Sequence, residues 1–268
     1  MIQLKRPHEI EGIKRSGKIL AECLLKLEDI IKEGVSTWDI DRFCYLYIKE
    51  HKAIPSCLGY CGYPNSACVS VNEVVIHGIP SKKKILKEGD IVSVDLCVTL
   101  DGYVSDSTRT YEIGKVSDDV HKLNVVTREC LNVGIEAAGK KGARILDIGN
   151  AVFKKAFLEN GYGVVRDYTG HGVGFDLHEE PEVPNFNDRL LPNPRIKPGM
   201  VIAIEPMINM GTWQVDTLKD GWTVVTKDGK PACHWEHTVA ITDNGIEILT
   251  QLWEGRDYGK RIYHMWYD

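Results

Sequence analysis

No run of apolar residues in this 268-residue chain approaches the ~18 that a membrane-spanning helix requires. The opening stretch, MIQLKRPHEIEGIKRSGKIL, is charged throughout and lacks the apolar segment of a secretory signal. Eight cysteines are present (Cys23, Cys44, Cys57, Cys61, Cys68, Cys97, Cys130 and Cys233), but none forms a C-x-x-C pair. Cys57, Cys61 and Cys68 cluster in sequence at spacings that match no common structural zinc site. A chain of this length, 43% hydrophobic, builds a core without disulfide staples, so reduced cytoplasmic thiols are expected. A basic excess is also missing: 33 Lys and Arg face 38 Asp and Glu, for a net charge of −5. That balance argues against a general nucleic-acid binder, and the SKKK run at 81–84 reads as a solvated loop.

What is present begins with an oddly charged strand. In IVSVDLCVTLDGYVSDSTRT, residues 91–110, Asp95 stands among Ile91, Val92, Val94, Leu96 and Val98, where a carboxylate has no packing role. Asp101-Gly102 predicts a two-residue type I′ hairpin turn. That turn pairs Leu100 with Tyr103 and, counting outward, Cys97 with Asp106. Asp95 lies two residues from Cys97 and therefore shares a face with Asp106. The two acids become diagonal cross-strand neighbours, roughly 7–8 Å apart at Cα. Two buried like charges at that range need something positive between them, and a metal ion serves better than a proton at neutral pH.

The chain also matches itself. LKEGDIVSVDLCV (86–98) aligns with IKPGMVIAIEPMI (196–208), placing Gly89 on Gly199 and Asp95 on Glu205. KEGVSTWDI (32–40) aligns with KKGARILDI (140–148). DSTRTYEIG (106–114) aligns with EHTVAITDNG (236–245), placing Asp106 on Glu236 and Thr108 on Thr238. Apolar periodicity predicts helices over 7–33, 38–50 (capped at Ser36 or Thr37), 118–138 and 146–160. Strands are predicted near 66–76, 91–99, 103–112, 163–169, 200–209, 223–226 and 236–249. Helices followed by strands, twice, predict an α+β fold of two halves related by a pseudo-twofold. The expectation is one domain over 1–268, repeating roughly as 10–114 and 118–250, with a site between the halves.

The repeat turns two acids into four: Asp95, Asp106, Glu205 and Glu236. Four converging carboxylates are intolerable without cations, and two divalent metals bridged by carboxylates and a water would balance them. YTGHGVGFDLHEEP adds His171, set between glycines that permit close backbone approach, and His178 seven residues later. His77 ends the apolar run VSVNEVVIHG. His8, His51, His121 and His264 read as ordinary surface or core histidines. Four carboxylates and one imidazole make a hard, oxygen-rich site suited to Mn²⁺, Fe²⁺ or Co²⁺, with Zn²⁺ also compatible. The chemistry that follows is hydrolytic attack on a carbonyl or phosphoryl centre, with His77 and His178 available to the developing oxyanion and the leaving group.

These motifs resemble those of the type I methionine aminopeptidases. The matching stretches are CLGYCGYPNSACVSVNEVVIHGIP, GDIVSVDLCVTLDGYVSDST, TGHGVG followed by LHEEP, KPGMVIAIEPM and DGWTVVTKDGKPACHWEHTVAIT, in order across nearly the whole chain. The resemblance implies the duplicated pita-bread fold, two divalent metal ions (Co, Mn, Fe or Zn) and removal of the initiator methionine ahead of a small, uncharged second residue. It implies metal ligands at Asp95, Asp106, His171, Glu205 and Glu236, the five already singled out. It further implies that His77 contacts the scissile amide, that His178 binds the carbonyl oxygen and that Glu205 shuttles the proton. The methionine pocket would be lined by Cys57, Tyr60, Tyr63, Cys68, Leu177 and Trp222, where Leu177 replaces a phenylalanine frequent in the family. Asn72, with the backbone at Val74, resembles part of a monovalent-cation site. The implied protein is a cytoplasmic monomer acting on nascent-chain N-termini, with transient ribosome contact and no membrane or specific nucleic-acid partner.

Three alternatives stand beside this reading. Xaa-Pro peptidases of the same fold carry an extra N-terminal domain, for which a fold expected to begin within the first ten residues leaves no room. Type II methionine aminopeptidases carry a long insertion where only 31 positions separate Glu205 from Glu236. A metal-free binding module of this fold would have lost ligands, whereas all five are present.

Overall fold

The computed structural model describes residues 1–252. Four helices carry the sequence-predicted periodicity: α1 (Pro7–Lys26), α2 (Thr37–Glu50), α3 (Asp118–Ala138) and α4 (Ile145–Phe153). Their starts are chemically marked. Pro7 opens α1, where its missing N–H costs nothing, and Glu9 accepts from the Arg6 amide at 2.6 Å. Ser36 caps α2 reciprocally with Asp39, the Asp39 amide donating to Ser36 Oγ at 3.2 Å and the Ser36 amide to Asp39 at 3.1 Å. Ser117 Oγ accepts from the Val120 amide at the head of α3.

Two of the helices, α1 and α4, are shorter than periodicity predicted. The 7–33 segment leaves α-geometry after Lys26 and ends in a 3₁₀ turn over Leu27–Asp29. The 146–160 segment leaves it after Phe153, continuing as one π-turn over Lys154–Leu158.

The hairpin keeps the predicted register. Strands Ile91–Leu100 and Tyr103–Glu112 pair Leu100 with Tyr103, Cys97 with Asp106 and Asp95 with Thr108. The turn residues Asp101 and Gly102 have φ of 52° and 83°, both positive as type I′ demands. Ile54–Pro55 and Ala67–Val71 join the hairpin in a four-stranded sheet. The predicted 66–76 strand breaks where Asn72 turns left-handed, giving Ala67–Val71 and Val74–Ile76. The predicted 200–209 strand breaks at Pro206, which cannot donate to a ladder, giving Val201–Ile204 and Met207–Asn209. Of the predicted 163–169 strand only Gly163–Val164 forms, and the next strand, Gly170–Gly172, begins just past its end.

The second half builds a five-stranded sheet in the order Gly245–Ile248, His237–Thr242, Val201–Ile204, Gly170–Gly172, Glu179–Val183. Each sheet is covered by its own helix pair. Leu20, Leu24, Ile40 and Ile48 of α1 and α2 pack on Val92, Val94 and Leu96. Leu131, Ile135, Ile145 and Ile148 of α3 and α4 pack on Ile202, Ile204 and Val239. The duplication read from the sequence is thus two helix-on-sheet layers.

Strands Tyr103–Glu112 and His237–Thr242 form the seam between halves. The Glu236 amide donates to Thr108 O at 3.1 Å, and the Asp106 amide donates to Thr238 Oγ1 at 3.0 Å. Thr108 Oγ1 donates to the Glu236 carboxylate at 2.9 Å, while Thr238 Oγ1 donates to Asp106 O at 2.7 Å. Each half's threonine serves the other half's acid, as a pseudo-twofold requires.

Candidate metal centre

The seam brings together the five residues that the sequence picked out as ligands. Asp95 and Asp106 come from the hairpin, His171 from the Gly170–Gly172 strand, and Glu205 and Glu236 from chain adjoining Val201–Ile204 and His237–Thr242. The glycines beside His171 are needed for this approach. A Cβ at Gly170 would collide with the carbonyl oxygen of Ala203, and one at Gly172 with that of Glu180. His171 Nε2 lies 3.4 Å from Glu205 Oε1 and 3.6 Å from Asp106 Oδ2. Ligand atoms of Asp106, His171 and Glu236 all fall within 4.8 Å of one another.

Electrostatics makes the cluster unstable by itself. Burial first, and then the neighbouring acids, push the carboxyls of Asp106 and Glu236 well above their ordinary range. Asp95 is raised in the same way by burial, Cys57 and Glu205, and Glu205 by burial and Asp106. Burial pushes His171 down to about 3, so the ring is neutral. Its Nδ1 sits 2.9 Å from Gly172 O, which fixes Nδ1 as the protonated nitrogen and leaves a bare lone pair on Nε2. A lone pair aimed at carboxylate oxygens is repulsive unless a cation lies between them.

Unpaired polar atoms point the same way. Asp95 Oδ1, Glu236 Oε1 and His234 Nε2 are buried without a hydrogen-bond partner among the described residues. The donor set, oxygen-rich with one imidazole, fits a divalent cation.

Beside this cluster lies a group of apolar and sulfur-bearing side chains. Cys57, Tyr63, Cys68, Cys97 and Leu177 are buried in one hydrophobic cluster, with Trp222 packed against it. Tyr63 and Trp222 meet edge to face at 5.1 Å, and His77 approaches Trp222 at 6.1 Å and Tyr168 at 5.7 Å. His77 holds a left-handed backbone, φ 57°, an unusual conformation for a non-glycine residue. Tyr60, 37% exposed, stands at the rim with its hydroxyl 2.7 Å from His178 Nδ1. The His178 ring is 4.3 Å from that of His171, which joins this group of side chains to the acids. Burial lowers both His77 and His178, leaving them neutral.

Asn72 is engaged in the fold: its side-chain oxygen accepts from the Ile91 amide at 3.0 Å and its carbonyl from the Ala232 amide at 2.8 Å. His8 and His121 are exposed and His51 is partly buried, whereas His264 lies outside the described residues.

Other residues at the site escaped the sequence reading. Cys97 Sγ lies 3.2 Å from Asp106 Oδ1, a contact implicit in the hairpin register. His234, two residues before Glu236, is fully buried with Nε2 3.6 Å from Glu205 Oε2. Asn185 holds the Glu205 carbonyl with a 2.9 Å hydrogen bond and had no signal, because it sits in a loop. Glu179 accepts from the amides of Phe175 and Asp176 and pairs with buried Lys5, bracing the turn that carries Leu177 and His178.

The description "Metallopeptidase family M24" matches residues 11–243 of this chain. The chain belongs to that family. The methionine aminopeptidase of Clostridium acetobutylicum is 51% identical over 251 residues, spanning 93% of this chain and 99% of its own. That of Escherichia coli K12 is 45% identical, spanning 93% and 94%. The crystal structure of methionine aminopeptidase from Thermotoga maritima superposes with a TM-score of 0.90 at 42% identity, covering 94% of this chain and 100% of that one. Prolidase from Pyrococcus furiosus, with a TM-score of 0.71 at 23% identity, shares the fold alone. The α+β pita-bread architecture expected from the sequence is the one M24 peptidases share.

Proposed function

We propose that this protein removes the N-terminal methionine from nascent proteins and peptides, and that Asp95, Asp106, His171, Glu205 and Glu236 hold two divalent metal ions for the purpose. The observation that carries this reading is the juxtaposition of unpaired buried acids with a group of sulfur and aromatic side chains. Relatives at 45–51% identity over nearly their full length bear the name methionine aminopeptidase.

Divalent ions bound by these acids would supply Lewis acidity and lower the pKa of a water. The chain's own residues do the rest. Cys57, Tyr63, Cys68, Leu177 and Trp222 receive a long, unbranched, polarizable side chain, the shape and softness of methionine. Tyr60 keeps its proton, because burial raises its hydroxyl, and we assign it as the donor to His178 Nδ1, 2.7 Å away. His178 therefore carries its proton on Nε2, where it can donate to the scissile carbonyl oxygen. His77 reaches the scissile amide from the opposite wall. Glu205 takes the proton of the attacking water and returns it to the leaving amine.

By resemblance to the type I methionine aminopeptidases, the space beyond the acids admits only a small second residue, and the free α-amine makes the enzyme an exopeptidase. By the same resemblance we assign it to the cytoplasm as a monomer with transient ribosome contact, and place a monovalent cation near Asn72 and Val74. No helix among the described residues is long and apolar enough to cross a membrane.

The test is metal analysis of the purified protein with hydrolysis of Met-Ala-Ser and Met-Lys-Ser. Bound metal and rapid cleavage of the first peptide alone are expected. A protein that binds no divalent metal, or cuts both peptides equally, overturns the reading.

A further inference from the structure

Cys57 and Cys97 lie on neighbouring antiparallel segments. Pro55 pairs with Val98, and the Ser56 amide donates to Cys97 O at 2.8 Å. This pairing brings the two sulfurs to 3.2 Å, so a disulfide of about 2.05 Å requires a closure of only about 1.2 Å. Both thiols are free and buried, yet each keeps a trace of exposed surface: Cys57 is 6% exposed and Cys97 4%. Cys23 and Cys44, by contrast, have no exposed surface. Cys97 also touches Asp106 Oδ1 at 3.2 Å, which ties the sulfur pair to the acid cluster.

We infer that Cys57 and Cys97 form a modification site, a dithiol that a hydroperoxide converts to a disulfide, closing the side-chain pocket. The step balances. Cys57 sulfur attacks one peroxide oxygen, the O–O bond breaks, and a sulfenic acid and one water (or alcohol) result. Cys97 sulfur then attacks the sulfenic sulfur, the S–O bond breaks, and the departing hydroxide takes the Cys97 proton as a second water. Two electrons pass from sulfur to peroxide. The new bond removes both thiols from the pocket wall and draws Cys97 away from Asp106. The effect on turnover rests on the methionine-pocket reading, but the bond itself does not.

The experiment uses the full chain, loaded with Mn²⁺ and carrying Cys61→Ser, which removes the exposed thiol of the rim. It is treated with hydrogen peroxide, alkylated and digested without reduction. A cross-linked Cys57–Cys97 peptide, two fewer titratable thiols and reversal by dithiothreitol are expected. The cross-link should be absent in Cys97→Ala and in Cys57→Ala, each checked by circular dichroism. Oxidised protein should hydrolyse Met-Ala-Ser roughly tenfold or more slowly, recovering on reduction. A Cys57–Cys68 linkage, sulfinic acid without a cross-link, or unmodified thiols would overturn the site. A cross-link that leaves peptide hydrolysis unchanged would overturn the closure, and with it the pocket reading, while leaving the dithiol site standing.

Discussion

Stripping metal from this protein should make its stability fall as pH rises above neutrality. In the metal-free fold, burial and mutual repulsion raise the carboxyls of Asp95, Asp106, Glu205 and Glu236 above the roughly 3.9–4.3 of an unfolded chain. Acids raised in this way favour the fold at low pH and lose that contribution as pH climbs through their folded values. The buried histidines act oppositely. His171 and His234 are lowered to about 3 and His237 to about 4, so each favours the fold above about 6.5 and loses that contribution as pH falls. Above about pH 7 these histidines are neutral in both states, and the raised acids and the raised buried thiols of Cys44, Cys68, Cys97, Cys130 and Cys233 push the slope the same way. Each proton the folded cluster retains costs about 1.4 kcal/mol per pH unit. For a chain of this size that corresponds to a Tm lower by roughly 3–6 °C per unit. Divalent cation replaces the acids' protons and leaves the thiols' share, so the slope in Mn²⁺ should be shallower than in chelator, with a gain of about 2.7 kcal/mol at a hundredfold excess over Kd. Calorimetry from pH 7 to 9, in chelator and in Mn²⁺, measures both slopes. A metal-free Tm that is flat or rises over this window would refute the claim that the acids lack a cation of their own.

Other outcomes follow from the same geometry. Asp95→Ala, Asp106→Ala and Glu236→Ala should each abolish turnover and lower bound metal; near wild-type turnover in any of them would contradict a shared centre. His77→Ala and His178→Ala should lower kcat by roughly 10²-fold with metal content unchanged, and loss of metal would make that histidine a ligand instead. Tyr60→Phe should give a smaller loss than His178→Ala, because it frees the His178 tautomer without removing the ring. Lys5→Ala leaves Glu179 buried without its cation and should destabilise the fold by roughly 3–5 kcal/mol, read by denaturant unfolding. A loss under about 1 kcal/mol would show that water replaces Lys5.

The parts of the fold legible in the sequence are those with several periods of pattern. The 91–112 hairpin and the starts of all four helices were legible, because alternation, an Asp-Gly turn, apolar periodicity and a cap at Ser36 agree with one another, whereas the ends of α1 and α4 were overrun. The five-residue cluster was legible because the duplication superposes acid on acid. The short strands Ile54–Pro55, Glu179–Val183, Val215–Thr217 and Ala232–His234 left no signal, being two to five residues long and set by neighbours distant in sequence. Pro206 and Asn72 cut two predicted strands through backbone constraints that apolar content does not register. Cys97 was within reach, since the register that pairs it with Asp106 was already fixed. His234, Asn185 and the Lys5–Glu179 pair depend on tertiary contacts alone.

The central claim, a centre of buried acids that anchors a free methionine amine, is tested most directly by one substitution in the substrate. Met-Ala-Ser and N-formyl-Met-Ala-Ser share a side chain and a scissile bond and differ only at the α-amine. With divalent metal supplied, the free peptide should be cleaved rapidly and the formylated peptide left intact, as followed by release of methionine. Equal cleavage of the two would contradict the account.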